Sequence, residues 1–268
     1  MKALLGDYPV TKYFKERSSL EFADVKVPNT AFKRVVRELE FDVAELAIIT
    51  YLLAKAHGKP YRLLPAVMTA RFQHSTLAYN PARGALSPDK LAGKKVGMRS
   101  YSVTTATWVR GILADDYGVD LSKVSWVTFE DPHVAEFRDP PNATRMPAGK
   151  DLTAMLLAGE LDAAILAEPP KDGPLKPLIA DPAAAAAAWK AKNRAIQINH
   201  MVVLKNTVSR EEENKIYDLL KKSREAAGSP EMNPFGLEEN RRNLEVAIDC
   251  TYRQGMIPRR FAVEELLK

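Results

Sequence analysis

The sequence holds one cysteine, Cys250, among 268 residues. No disulfide can form within the chain, and a cysteine-based metal site would lack its second ligand. That usage fits a reducing cytoplasm. Long apolar runs are also missing. After Met1-Lys2 only Ala3-Leu4-Leu5 precede Gly6-Asp7, against the ~7 to 15 apolar residues of a signal-peptide core. No segment approaches the ~20 apolar residues that cross a bilayer. Neither secretion nor membrane spanning is expected, and the expected location is cytoplasmic. No phosphate loop, dinucleotide fingerprint or nucleophile elbow occurs, and no internal repeat. The 39 Lys and Arg against 34 Asp and Glu leave a net charge of +5, but the cations are scattered and form no stripe with interleaved aromatics. The balance favours an anionic small molecule over nucleic acid.

What is present is material for a core, with 46% hydrophobic and 27% charged residues, the profile of a globular protein. At roughly 100 to 200 residues per domain, the length suits one large domain or two lobes with a ligand cleft between them.

The patterning predicts an α/β chain. Lys2 to Leu5 and Phe22 to Val27 read as strands separated by the turn-rich Gly6-Asp7-Tyr8-Pro9. Phe32, Val35, Val36 and Leu39 share a helix face. Val43 to Leu53 is apolar almost all round and reads as a buried helix whose one acid is Glu45. Tyr61 to Thr69 and Ser75 to Tyr79 are predicted strands. Ser87-Pro88 opens a one-turn helix that Gly93 closes before a strand at Lys94. Helices follow near 104–117, 151–160, 183–189, 210–227 and 237–254, with a short last one at 263–267. Strands follow at 124–128, 162–166 and 201–204. Such alternation implies parallel crossover units.

Several residues are candidates for chemistry. Arg99, Ser100, Tyr101, Ser102, Thr104 and Thr105 lie between a strand end and a helix start. Free N–H groups and the positive end of the helix dipole face outward there, a natural anion site; plain capping by one hydroxyl is the simpler alternative. Arg71 and His74, three apart on one connection, suit an acidic ligand or form a satisfied surface pair. Glu45 in an apolar segment is more specific, because a buried carboxylate needs a partner. It could be a general acid, a substrate ligand or a helix-end contact. Glu130 and His133 resemble half a metal site in residue type, but the spacing offers no third ligand. They could instead face the ligand as polar groups or proton donor. His200, before the strand at Met201, could face the ligand or be structural. No metal and no cofactor is expected.

The phrases Ser87-Pro88-Asp89-Lys90-Leu91-Ala92-Gly93-Lys94-Lys95-Val96-Gly97 and Leu156-Leu157-Ala158-Gly159-Glu160-Leu161-Asp162-Ala163-Ala164-Ile165 resemble signatures of type II periplasmic-binding-protein folds. That resemblance implies a two-lobed fold, with lobe I from 1–93 and 203–268 and lobe II from 94–202. More specific are Gly6-Asp7-Tyr8, Phe41-Asp42-Val43-Ala44-Glu45-Leu46, Arg71-Phe72-Gln73-His74-Ser75, Val96 to Gly111 and Trp126-Val127-Thr128-Phe129-Glu130. Together these resemble the 4,5-dihydroxyphthalate decarboxylase family, enzymes built on that fold. The resemblance implies a cytoplasmic, non-oxidative carboxy-lyase of aromatic acids that uses side chains alone. On that reading His74, Glu45 or His133 serves catalysis. Arg71, Arg99, Tyr101, Ser102, Thr104, Thr105, Glu130 and His200 hold the aromatic carboxylate. The rival expectation is a solute-binding protein or sensor for a small carboxylate, since the fold alone does not fix function.

Overall fold

The computed structural model describes residues Met1–Lys268. The chain divides into two units, Met1–Arg71 with Ala195–Lys268, and Phe72–Arg194. The crossings therefore fall at 71/72 and 194/195, where the sequence had suggested 93/94 and 202/203. The first unit begins with β1 (Lys2–Leu4), α1 (Pro9–Arg17), β2 (Glu21–Phe22), α2 (Phe32–Glu38), β3 (Val43–Ala47), α3 (Ile48–Ala56) and β4 (Tyr61–Ala70). The second holds β5 (Leu77–Tyr79), β6 (Lys95–Met98), α4 (Thr104–Tyr117), β7 (Ser125–Thr128), β8 (Ala143–Arg145), α5 (Leu152–Ala158), β9 (Ala163–Ile165), β10 (Lys176–Pro177) and α6 (Pro182–Asn193). The chain then completes the first unit with β11 (Ile198–Lys205), α7 (Arg210–Ala226) and α8 (Leu237–Arg253).

The first unit is built on a five-stranded sheet in the order β2-β1-β3-β11-β4. β1 runs parallel to β2 and β3, while β11 runs antiparallel to β3 and β4. The segment expected as one buried helix over 43–53 is instead the strand β3 followed by α3. All five residues of β3 are buried. A central strand covered on both faces loses the polar alternation that would mark it, so its run of apolar residues reads like buried helix. A second departure is α1. Gly6 to Pro9 is the turn into a helix, and Pro9 occupies its first turn, where its fixed φ suits the helix and no N–H is missed. Val10, Thr11 and Phe14 face inward, and the Phe14 N–H donates to Ser223 Oγ on α7 at 3.0 Å. The strand expected to reach Val27 stops at Phe22. α7 starts as its sequence indicates: Ser209 Oγ accepts from the Glu212 N–H, and Glu212 Oε2 accepts from the Ser209 N–H. Leu64, Ala66, Val202, Leu204, Ile216 and Leu220 pack between sheet and helices.

The second unit has a six-stranded sheet, β10-β5-β9-β6-β7-β8. β9, β6, β7 and β8 are parallel, and β5 is antiparallel to β9. α4 links β6 to β7 and α5 links β8 to β9, so the expected crossover units are present. α4 ends where the sequence marks it, with Gly118 at φ 64°, a left-handed position that favours glycine. Trp189 anchors the alanine-rich α6 against Trp108, ring centroids 5.9 Å apart. Register aligns Leu77, Ile165, Met98 and Thr128 in one row. The segments that follow Met98 and Thr128 thus leave the sheet at one edge, where open α/β sheets carry their ligands.

Candidate functional site

The first unit assembles a polar cluster around Glu45. Side chains alternate along a strand, so Glu45 and Ala47 share a face of β3. His200 on β11 stands opposite Ala47 and Val202 opposite Glu45. Cross-strand partners share a face, which makes Glu45 and His200 diagonal neighbours. Their side chains meet, with His200 Nδ1 2.6 Å from Glu45 Oε1. The same oxygen accepts from the Tyr8 hydroxyl at 2.8 Å. Oε2 accepts from the Gly6 N–H at 2.9 Å, just past the end of β1. Glu45 is 0% exposed, and these donors provide what burial of a carboxylate demands. Both its oxygens are engaged by neighbouring polar groups.

His200 has a different exposure. Its side chain keeps 18% of its surface open, and the Phe32 ring stands edge-on against it at 5.1 Å. An imidazole held through Nδ1 by a buried carboxylate, with the rest of its ring partly open, is fixed in orientation. Tyr8, by contrast, is kept a neutral phenol, because burial and the neighbouring Glu45 push its ionisation well above the ordinary range. Arg71 ends the first segment of this unit, its N–H donating to the Gln197 carbonyl at 3.2 Å.

In the second unit the strand edge gathers Arg99 and Glu130. The Arg99 carbonyl accepts from the N–H groups of Phe129 and Glu130, and the two side chains pair at 3.8 Å. Ser100, Ser102 and Thr104 are buried; Thr105 is half-buried. The residue that caps α4 is Val103, and no side chain closes the helix start. Ser100 Oγ is buried with no hydrogen-bond partner. Tyr101 is walled in, its ring lying on the Arg110 guanidinium at 3.7 Å and stacked near Phe137 at 6.5 Å. His133 is buried whereas Glu130 is exposed. No group of three or more His, Cys, Asp or Glu side chains is placed to hold a metal ion.

His74 is 1% exposed, and both ring nitrogens are buried with no hydrogen-bond partner. Phe72 lies 6.4 Å away and packs on Trp189. Burial lowers its pKa from 6.5 to about 4, so at neutral pH it holds no proton to give as an imidazolium. Of the expected residues, Glu45 and His200 are therefore brought together, Arg99 and Glu130 form a second pair, and His74 stands in an apolar, aromatic setting. The sequence reading missed Tyr8 as a site residue, although Gly6-Asp7-Tyr8 was a phrase it had singled out.

No protein-family model matches the chain. Among curated proteins it is 30% identical over 195 residues to a 4,5-dihydroxyphthalate decarboxylase of Comamonas testosteroni, covering 68% of this chain and 59% of that protein. It is 32% identical over 146 residues to a 4,5-dihydroxyphthalate decarboxylase of Pseudomonas putida, covering 52% of this chain and 57% of that protein. These matches bear out the resemblance seen in the sequence. The matched region spans somewhat under three fifths of each relative's length. Among solved structures, the periplasmic aliphatic sulphonate-binding protein of Escherichia coli aligns with a TM-score of 0.59 at 11% identity, over 100% of this chain and 96% of that one. The alkanesulfonate-binding protein of Xanthomonas axonopodis pv. citri aligns at 0.54 and 12% identity, over 99% and 96%. The fold is that of the type II periplasmic binding proteins, as expected. No helix is long and apolar enough to cross a membrane.

Proposed function

We propose that the chain is a carboxy-lyase acting on a hydroxylated, phthalate-like aromatic acid, with His200 as the proton donor and Glu45 as the group that orients it. The observation that carries this is the 2.6 Å contact between His200 Nδ1 and the fully buried Glu45. The relatives named for 4,5-dihydroxyphthalate supply the substrate class.

The reaction asks for little. A ring hydroxyl para to the departing carboxylate pushes electron density to the carbon that bears it. His200 delivers a proton to that carbon. The carbon–carbon bond then breaks, its electron pair returns to the ring, and carbon dioxide leaves. One proton is consumed and one carboxylate lost, so 4,5-dihydroxyphthalate would give 3,4-dihydroxybenzoate. Proton delivery by a positioned side chain contributes about 10²- to 10⁴-fold to such a step. Glu45 fixes the orientation of the imidazole and so the direction in which its proton is delivered.

Arg71 is proposed to hold the acid, as are Arg99 and the start of α4, including Ser102, Thr104 and Thr105, where guanidinium and N–H donors suit a carboxylate. Tyr101, Glu130 and His133 belong to the same proposal as neighbours of that edge. His74, neutral at pH 7, is assigned an N–H donor role and not proton delivery. A role in breakdown of aromatic acids fits a cytoplasmic location, which cell fractionation tests. The function is tested by incubating purified protein with 4,5-dihydroxyphthalate and following substrate and product by chromatography. Product that disappears in H200Q supports the assignment; undiminished product in H200Q removes His200 from it.

A further inference from the structure

The cluster around Glu45 contains more than the pair that the proposed reaction uses. Tyr8 Oη and His200 Nδ1 meet the same carboxylate oxygen, at 2.8 and 2.6 Å, while the Gly6 N–H holds the other at 2.9 Å. The Tyr8 phenol reaches that oxygen by lying directly over Gly6. A Cβ at position 6 would stand 2.4 to 2.6 Å from the Tyr8 ring carbons and hydroxyl, closer than non-bonded atoms approach. Gly6 has no positive φ, so the backbone would accept alanine, and the three nearest atoms in conflict all belong to the phenol. Thr11 fixes the turn, its Oγ1 accepting from the Tyr8 N–H at 3.0 Å and donating to the Gly6 carbonyl at 2.7 Å.

We infer that Tyr8, held in place by the absent side chain of Gly6, is a positioning residue that acts on His200 through Glu45 and sets the pH range over which His200 can deliver its proton. The phenol donates to Oε1 and draws off part of the charge that the oxygen would otherwise offer to the imidazole. A hydrogen bond to the charged form of a group favours that form, so removing one of two donors leaves the carboxylate more basic toward the other. Without the Tyr8 hydroxyl, Glu45 binds the His200 proton more tightly. The groups that face this pair are few. His200 meets Glu45 on β3 and the uncharged Phe32 on α2, and its ladder partners are Ala47 and Thr69. Tyr8 also feels Asp7, which is exposed and paired with Lys15 at 2.6 Å.

The inference deepens the proposed function and rests on it for turnover, but its first readout does not need turnover. Imidazole NMR of the full chain, titrated over about pH 5 to 9, follows His200, whose signal is assigned by its loss in H200Q. Y8F keeps the ring and removes the hydroxyl. Its His200 midpoint is expected to move upward by about half to one pH unit, with the upper limb of the pH–turnover profile moving alongside. G6A is expected to reproduce the shift with the tyrosine still present. In a Y8A background, where the ring is gone, adding G6A is expected to change nothing further. A His200 midpoint in Y8F within about 0.2 unit of wild type would overturn the inference. So would a G6A protein that titrates like wild type, or a G6A effect that persists without the ring. If wild type turns over no substrate, the functional proposal falls while the NMR titration still decides the role of Tyr8.

Discussion

Replacing Glu45 with glutamine tests the central pair with little change of shape. Glutamine can present its carbonyl oxygen to the Gly6 N–H, where Glu45 Oε2 now sits at 2.9 Å. Its NH2 then faces the Tyr8 oxygen and His200 Nδ1, both of which can accept. The Gly6 N–H and His200 stay paired and the Tyr8 hydroxyl hydrogen loses its acceptor, so the loss of stability should be about 0.5 to 1.5 kcal/mol, that of one hydrogen bond. The imidazole, however, is forced into the tautomer with its proton away from Nδ1, and no negative charge remains to stabilise the imidazolium. A hydrogen bond to a charged group is worth about 1.5 to 3 kcal/mol. If that stabilisation is present in the transition state, its loss should lower turnover by about 10- to 150-fold, at about 1.4 kcal/mol per tenfold. E45A makes the contrast. It strands the buried Gly6 N–H and should reduce stability by about 1 to 3 kcal/mol. Urea melts give the stabilities and chromatographic rates give the turnover, each per folded molecule. E45Q that keeps more than half of wild-type turnover would refute the orienting role of Glu45.

Other expectations follow from packing and charge. Because folded His74 takes up its proton only near pH 4 while the unfolded chain does so near 6.5, its contribution is fully present above pH 6.5. It is lost as pH falls through that window, by about 3 kcal/mol at 1.36 kcal/mol per unit. H74L, compared with wild type in urea melts at both ends of the window, should lack this acid-side decline; an unchanged decline would count against it. Arg62, 5% exposed, pairs with Glu213 at 2.8 Å and donates to the Val208 carbonyl at 2.7 Å. R62A leaves Glu213 to Arg210 alone, which holds it at 2.7 Å, and strips the Val208 carbonyl of this buried donor, so it should destabilise by about 1 to 3 kcal/mol, a value below 1 showing that the site relaxes into water. At Gly97 a Cβ would lie 2.5 Å from a Leu152 methyl and 2.6 Å from a Leu161 methyl. G97A should therefore lower stability by about 1 to 3 kcal/mol through overpacking, and a neutral effect would mean the leucines turn aside freely.

Much of the fold is legible in local signals because those signals are physical. The Ser209/Glu212 box, Gly118 after α4 and the amphipathic faces of α7 and α8 each satisfy backbone groups or bury a stripe without help from distant residues. β3 is not legible as a strand, since its pattern depends on cover from both sides. α1 hides behind a Gly-Asp-Tyr-Pro phrase that is turn and helix start together. β8 and β10 span three and two residues, too short to carry a period. For the site, Glu45 stands out as a lone acid in an apolar run, and His200 can be noticed by type. Their meeting depends on the register between β3 and β11, which pairs residues 155 apart in sequence. Tyr8 carries no charge to draw attention, and its reach to Glu45 becomes visible only from the space left above Gly6.

The most direct measurement is product formation from 4,5-dihydroxyphthalate by the purified chain and by H200Q, on samples whose thermal stability is recorded with and without the acid. The account predicts 3,4-dihydroxybenzoate from wild type, and from H200Q a stabilising shift with product reduced by about a hundredfold or more, the lower bound for a proton donor. Stabilisation of wild type by the acid with no product would contradict it, and would make the chain a binder of aromatic acids.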